Sequence, residues 1–150
     1  MKVREILRYN QTFKAIIDNA KDVNSLVKFK LLGMCKQFEP IVTNFEIIQN
    51  EKISQYGTSD DKGNIGIFNP KKEDFENASD YEEAVKEHAE VLKKFQSDID
   101  NILDSESEVE IRKFKYTDII DAGLPSEYLI AIYDLIEEWF GGIEQWEKYR

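Results

Sequence analysis

The sequence predicts a mainly α fold: a long antiparallel helical hairpin with flanking helices and a small two-stranded β-ribbon. Three observations carry that reading. Val27, Leu31, Met34, Phe38, Ile41, Phe45 and Ile48 recur in steps of four and three, the spacing that keeps side chains on one helical face. Tyr81, Val85, His88, Leu92, Phe95, Ile99 and Ile102 repeat that pattern over the same length. Between the two stripes, residues 57–77 form a connector with glycine and turn chemistry. Stripes of equal length pack along their full extent in the simplest register, which sets Ile48 against Tyr81.

The elements follow in chain order. Val3, Ile6, Leu7, Phe13, Ile16, Ile17 and Ala20 mark an amphipathic helix, with an interruption expected near Asn10 and Gln11, where Thr12 would cap a restart. Residues 19–24 read as a loop, with Asn24 or Ser25 as the next N-cap. The first heptad helix then runs to about Tyr56, where Gly57 stops it. Pro40 falls inside it, removing a backbone donor and crowding the preceding turn, so a kink is expected. The alternative is two helices meeting at Glu39-Pro40.

Asp60-Asp61-Lys62-Gly63-Asn64 has strong turn chemistry, and Ile65 and Ile67 alternate with Gly66 before Phe68, suggesting one strand of the ribbon. Residues 109–116 suggest the other, with Val109 and Ile111 alternating with Glu110 and Arg112 and a bulge near Lys113. Such a ribbon is marginal alone and must lean on the helices. Ser79-Asp80-Tyr81-Glu82 fits a capping box at the start of the second heptad helix, and the acidic run from Asp98 to Glu108 frays out of it. Thr117 or Asp118 would cap a short helix ending at Gly123. Pro125 and Ser126 open another, with Leu129, Ile132, Tyr133, Ile136, Trp139 and Phe140 on its apolar face. Gly141-Gly142 stops that helix, and Ile143, Trp146 and Tyr149 make a short aromatic turn.

At 150 residues the chain reads as one domain, with the hairpin core over about residues 25–105 and the ribbon and C-terminal helices over residues 108–150. Its net charge of -10 argues against sequence-independent nucleic-acid binding and against docking on anionic membranes. The charge is uneven. Residues 1–56 hold nine lysines and arginines against six acids, whereas residues 57–150 hold eleven against twenty-four. Cys35 is the single cysteine, so no intrachain disulfide is expected, and the polar start and short apolar runs suggest neither a secretory signal nor a membrane span.

No residue set points to catalysis, a cofactor or a metal. His88 is the only histidine and sits on the apolar stripe, where its one-turn neighbours Ala84, Val85, Val91 and Leu92 offer no chemistry. In the simplest register Cys35 lies opposite Lys94, six residues from His88, or roughly 9 Å at 1.5 Å per residue, which speaks against a nucleophile–base pair. The loop at Asp60 lacks the ligand pattern of a calcium site and the Gly-Lys-Ser/Thr order of a phosphate loop. Asp98, Asp100, Asp104, Glu106, Glu108 and Glu110 read as a solvated acidic segment, and Glu106, Glu108 and Glu110 are kept as a surface for a basic partner. Trp139, Phe140, Trp146 and Tyr149 are the other candidates for partner binding, since aromatic residues dominate interface energetics; the alternative is that they seal the core.

Read in order, these elements resemble a class of small helical proteins encoded by tailed bacteriophages and prophages. The likeness rests on a long helix with a Phe45-Glu46 step, the Tyr56-Gly57 end followed by Asp60-Asp61-Lys62-Gly63-Asn64, and a second helix. A Glu108-Val109-Glu110-Ile111 segment and a closing leucine-isoleucine helix complete it. It covers most of the chain through short motifs; Pro40 and the tail after Trp139 depart from it. The resemblance implies a non-enzymatic virion structural or assembly protein, a head, connector or tail accessory component. Its partners would be other phage structural proteins or copies of itself, with no membrane and no direct nucleic acid, in the particle and the cytoplasm of the infected bacterial host. It carries no catalytic residues across. The alternative from another class is an acidic inhibitor or regulator of a host protein, a nucleic-acid mimic.

Overall fold

A computed structural model describes residues 1–137 of the chain. It is mainly helical, with a small two-stranded antiparallel sheet, and its long helices α1 (Val3–Asn19) and α2 (Ser25–Tyr56) pack together as a hairpin. The described residues form two compact units: residues 1–42 with the described residues from 106 onward, and residues 43–105. Helix α2 contributes to both.

In the first unit, α1 and the first half of α2 share a core with two short C-terminal helices, α4 (Tyr116–Ile120) and α5 (Ser126–Ala131). Ile6, Phe13, Ile16, Val27, Leu31, Phe38, Phe114, Ile119 and Ile132 are its fully buried side chains. The rings of Phe13 and Phe38 stack with centroids 5.8 Å apart, and Tyr9 stacks on Phe13 at 5.9 Å. Helix α1 is continuous, without the interruption expected near Asn10. Thr12 does not cap a restart; its hydroxyl donates to the Arg8 carbonyl one turn back, so the side chain is satisfied within the helix.

Helix α2 begins as the sequence suggests, with the Asn24 side chain accepting from the Leu26 N–H at 2.8 Å. It continues through Pro40 as one element, which overturns the two-helix alternative. Pro40 is exposed, so the carbonyl left without a donor one turn back can turn to water rather than to a dry core. The Gly57 N–H closes the helix on the Ile53 carbonyl at 2.7 Å.

The buried half of the first stripe, Val27, Leu31, Met34 and Phe38, is sealed by α1 and the C-terminal elements, and no second-stripe residue joins that cluster. The register expected for matched stripes is also overturned. Setting Ile48 against Tyr81 would set Tyr56 against Glu73, whereas the Tyr56 hydroxyl donates to Asp98 Oδ2 at 2.7 Å. Apolar spacing constrains which face turns inward; it does not choose between partners of similar pattern.

The second unit holds the end of α2, the ribbon, and α3 (Ala78–Leu103). A ribbon is present, yet its partner differs from the expected one: β1 (Thr58–Ser59) pairs with β2 (Ile65–Gly66) around the Asp60 turn. Asp60 Oδ1 accepts from the backbone N–H of Lys62 at 2.9 Å and of Asn64 at 2.8 Å. These bonds hold the Asp60 carboxyl below its usual range, the one from Asn64 contributing most. A turn locked this way closes a local hairpin at far less entropic cost than a strand from residues 109–116. That second segment makes only an isolated parallel bridge, Phe114 with Ile136. Helix α3 starts two residues earlier than the capping box implied, because Asn77 takes the cap: its side chain accepts from the Asp80 N–H at 2.9 Å and the Ser79 hydroxyl at 3.0 Å. The last expected helix is cut short as well. Helix α5 ends at Ala131, a 3-10 turn follows at Tyr133–Leu135, and Ile136 lies in extended backbone.

Candidate protein-interaction surface

The first half of α2 is apolar on two opposite sides. At about 100° per residue, positions two apart lie on opposite faces of a helix. Phe29 is two residues from both Val27 and Leu31, so it points away from the core they enter. It is 73% exposed, and Leu26 and Leu32, three residues to either side, are 56% and 47% exposed. A helix apolar all round is normally covered all round. Among the described residues the fold covers one side and leaves Leu26, Phe29 and Leu32 exposed.

The surroundings of this patch are specific. Gly33, one turn beyond Phe29, leaves a shallow step where an added side chain would meet open space. Between Ser25 and Phe38 every charged residue is a lysine: Lys28, Lys30 and Lys36. Lys30 reaches Asp118 on α4 at 3.5 Å, and Lys36 is exposed. The patch is therefore an apolar strip with Lys28 and Lys30 on its two sides, Lys30 already paired with Asp118, and Lys36 two turns along the strip from Phe29, on a chain whose net charge is -10.

The sequence-predicted partner residues are placed differently. Glu106 forms an ion pair with the Met1 ammonium at 3.1 Å and an isolated bridge with Lys2, so it ties the N-terminal segment down. Ser107 reinforces that tie, its N–H and hydroxyl both donating to the Met1 carbonyl. Glu108 and Glu110 are exposed on irregular backbone. Trp139, Phe140, Trp146 and Tyr149 lie outside the described residues, as does the expected stop at Gly141-Gly142. His88 is half-buried in the second unit, and Cys35 lies partly buried against the core of the first, where burial pushes its thiol up. With the expected register gone, the spacing that separated Cys35 from His88 no longer applies. Among the described residues no group of three or more histidines, cysteines or carboxylates could hold a metal ion, and no helix is long and apolar enough to cross a membrane.

In the second unit the polar cluster of Tyr56, Asp98 and Lys52 is structural in form. Tyr56 bonds Asp98, and Lys52 Nζ approaches the same carboxylate oxygen at 3.4 Å. The Tyr56 hydroxyl, then Lys52, holds Asp98 below the usual carboxylate range, and donation to Asp98 holds the Tyr56 phenol up.

Sequence reasoning passed over Leu26, Phe29 and Leu32 because they fall off the heptad stripe. Their signal was present: a second apolar row at steps of three, beside a glycine, on the far side of the same helix. No family model, curated protein or solved structure matches the chain.

Proposed function

We propose that this protein is non-enzymatic and acts through protein–protein contacts, as a structural or assembly component of a bacteriophage particle. The observation that carries the contact-making role is the uncovered apolar side of α2, centred on Phe29. The phage setting is supported by the resemblance over Phe45-Glu46, Tyr56-Gly57 and Glu108 to Ile111. Quantitative mass spectrometry of purified particles tests it. A fixed copy number relative to the major capsid protein is the expected result. Absence from particles, with abundance in infected cells, overturns it and favours the host-protein regulator, whose binding surface would be the acidic second half.

A further inference from the structure

We infer that the exposed side of α2 is a docking surface for an amphipathic helix of another protein, one whose apolar stripe is flanked by carboxylates. The inference rests on the contact-making role proposed above and names the partner's chemistry. Leu26, Phe29 and Leu32 together expose on the order of 300 Å², the low end of the largest apolar patch on a monomer, a patch that is often functional. That is well short of the roughly 800 Å² per side of a standard stable interface, and it suits one helix better than a globular body. Phe29 is the anchor, and the step at Gly33 lets a partner backbone approach closely.

The flanking charge chooses among occupants. Lys28, Lys30 and Lys36 are the only charges on this stretch of α2. In an isologous contact with a second copy, each lysine set would face the same lysines across the two-fold axis. An anionic membrane would attract these lysines, yet the chain as a whole carries -10 and is repelled by such a surface. A helix bearing glutamates or aspartates beside its apolar stripe satisfies both the strip and its flanks, the arrangement of helix recognition by i, i+3, i+4 and i+7 anchors.

The test uses the full chain and a labelled synthetic helix with leucines at i, i+3, i+4 and i+7 flanked by glutamates. A sibling peptide carries lysines in place of the glutamates. Fluorescence anisotropy is expected to show saturable binding of the acid-flanked probe, weakened by salt, with the lysine-flanked probe at least about tenfold weaker. Phe29→Ala is expected to weaken binding by at least about tenfold, and Lys36→Glu to weaken it and flatten the salt dependence. Both positions are exposed, so circular dichroism of the variants should match the parent. Three results overturn the inference: no binding of the acid-flanked probe, binding indifferent to Phe29→Ala, or equal binding of both probes. Light scattering that reveals a dimer dissolved by Phe29→Ala makes a second copy the occupant instead. Flotation with vesicles of equal parts phosphatidylcholine and phosphatidylglycerol, abolished by the same substitution, makes it a membrane. A chain present in particles that ignores the probe loses the docking inference alone; one absent from particles that binds it loses the virion reading alone.

Discussion

Two stretches of one helix meet very different surroundings. In the first unit, Val27, Leu31, Met34 and Phe38 are buried in a core built from α1, α4, α5 and the segment around Phe114. In the second, Phe45 and Ile48 continue the same four-three spacing and are only half-buried, and Ile99 is the one buried hydrophobic side chain among the described residues of that unit. The pattern is the same and the coverage is not. Periodicity records which side of a helix turns inward, while the depth of burial depends on how many other elements arrive to cover it.

The sharpest way to break this comparison is a matched pair of truncations. Phe38→Ala removes a fully buried ring from a filled core and should cost about 3–5 kcal/mol in urea unfolding. Phe45→Ala, one stripe position on from Ile41, should cost less, about 1–2 kcal/mol, because much of that ring already meets water. Equal losses would mean the second unit depends on this ring as heavily as the first depends on Phe38.

A second pair uses glycines with left-handed backbone. Gly123 has φ 79° and a side chain there would press on the Asp22 carbonyl, so Gly123→Ala should destabilise by about 2 kcal/mol or more. Gly63 has φ 81° in an open turn, so Gly63→Ala should cost only about 1 kcal/mol, the conformational part alone. Thermal melts of both variants decide the matter, and a reversed order would sink the view that the first unit is the tighter one.

The pH response should separate the units further. The lowered pKa of Asp98 makes its contribution fully present above the ordinary carboxylate range and lost as pH falls through that lowered value. The raised pKa of Tyr56 makes its contribution present below the ordinary phenol range and lost as pH rises through the raised value. Tyr56→Phe should therefore remove the tyrosine's share of the alkaline limb, leaving that of Cys35, and shrink the acid limb, where Lys52 and the Asp60 turn still act. Urea midpoints across pH, read by a probe in residues 43–105, check this; an unchanged alkaline limb refutes it. The smallest effect is expected at Phe29. Phe29→Ala should move stability by no more than about 0.5 kcal/mol, since the ring is almost bare. A larger loss by the same melt would show that the ring serves the fold rather than a partner.

Much of the architecture was legible because its causes are local. The Asn24 cap, the end of α2 at Tyr56, the turn at Asp60 and the amphipathic run of α1 each depend on residues a few positions apart, and each is where the sequence pointed. Two expectations failed locally, the break near Asn10 and the α3 cap, but the larger errors have a different cause. The ribbon partner, the Tyr56–Asp98 register and the shortened α5 are choices between distant segments of similar pattern, which spacing alone does not rank. The candidate surface was half legible: Leu26, Phe29 and Leu32 stand in the sequence as an apolar row, but so does the row that is buried.

By itself, then, the sequence determined the helical class, the positions of most helix starts, and the contrast between a mildly basic first third and an acidic remainder. These follow from hydrogen-bonding groups, caps and charges that act over a turn or two. Only the tertiary structure decided what covers the heptad row on α2, and that the second row, Leu26, Phe29 and Leu32, stays exposed. Either row would be stabilised by leaving water, and the helix by itself supplies a cover for neither. The choice was made by α1 and the C-terminal elements, which cover Val27, Leu31, Met34 and Phe38 and leave Phe29 to the solvent.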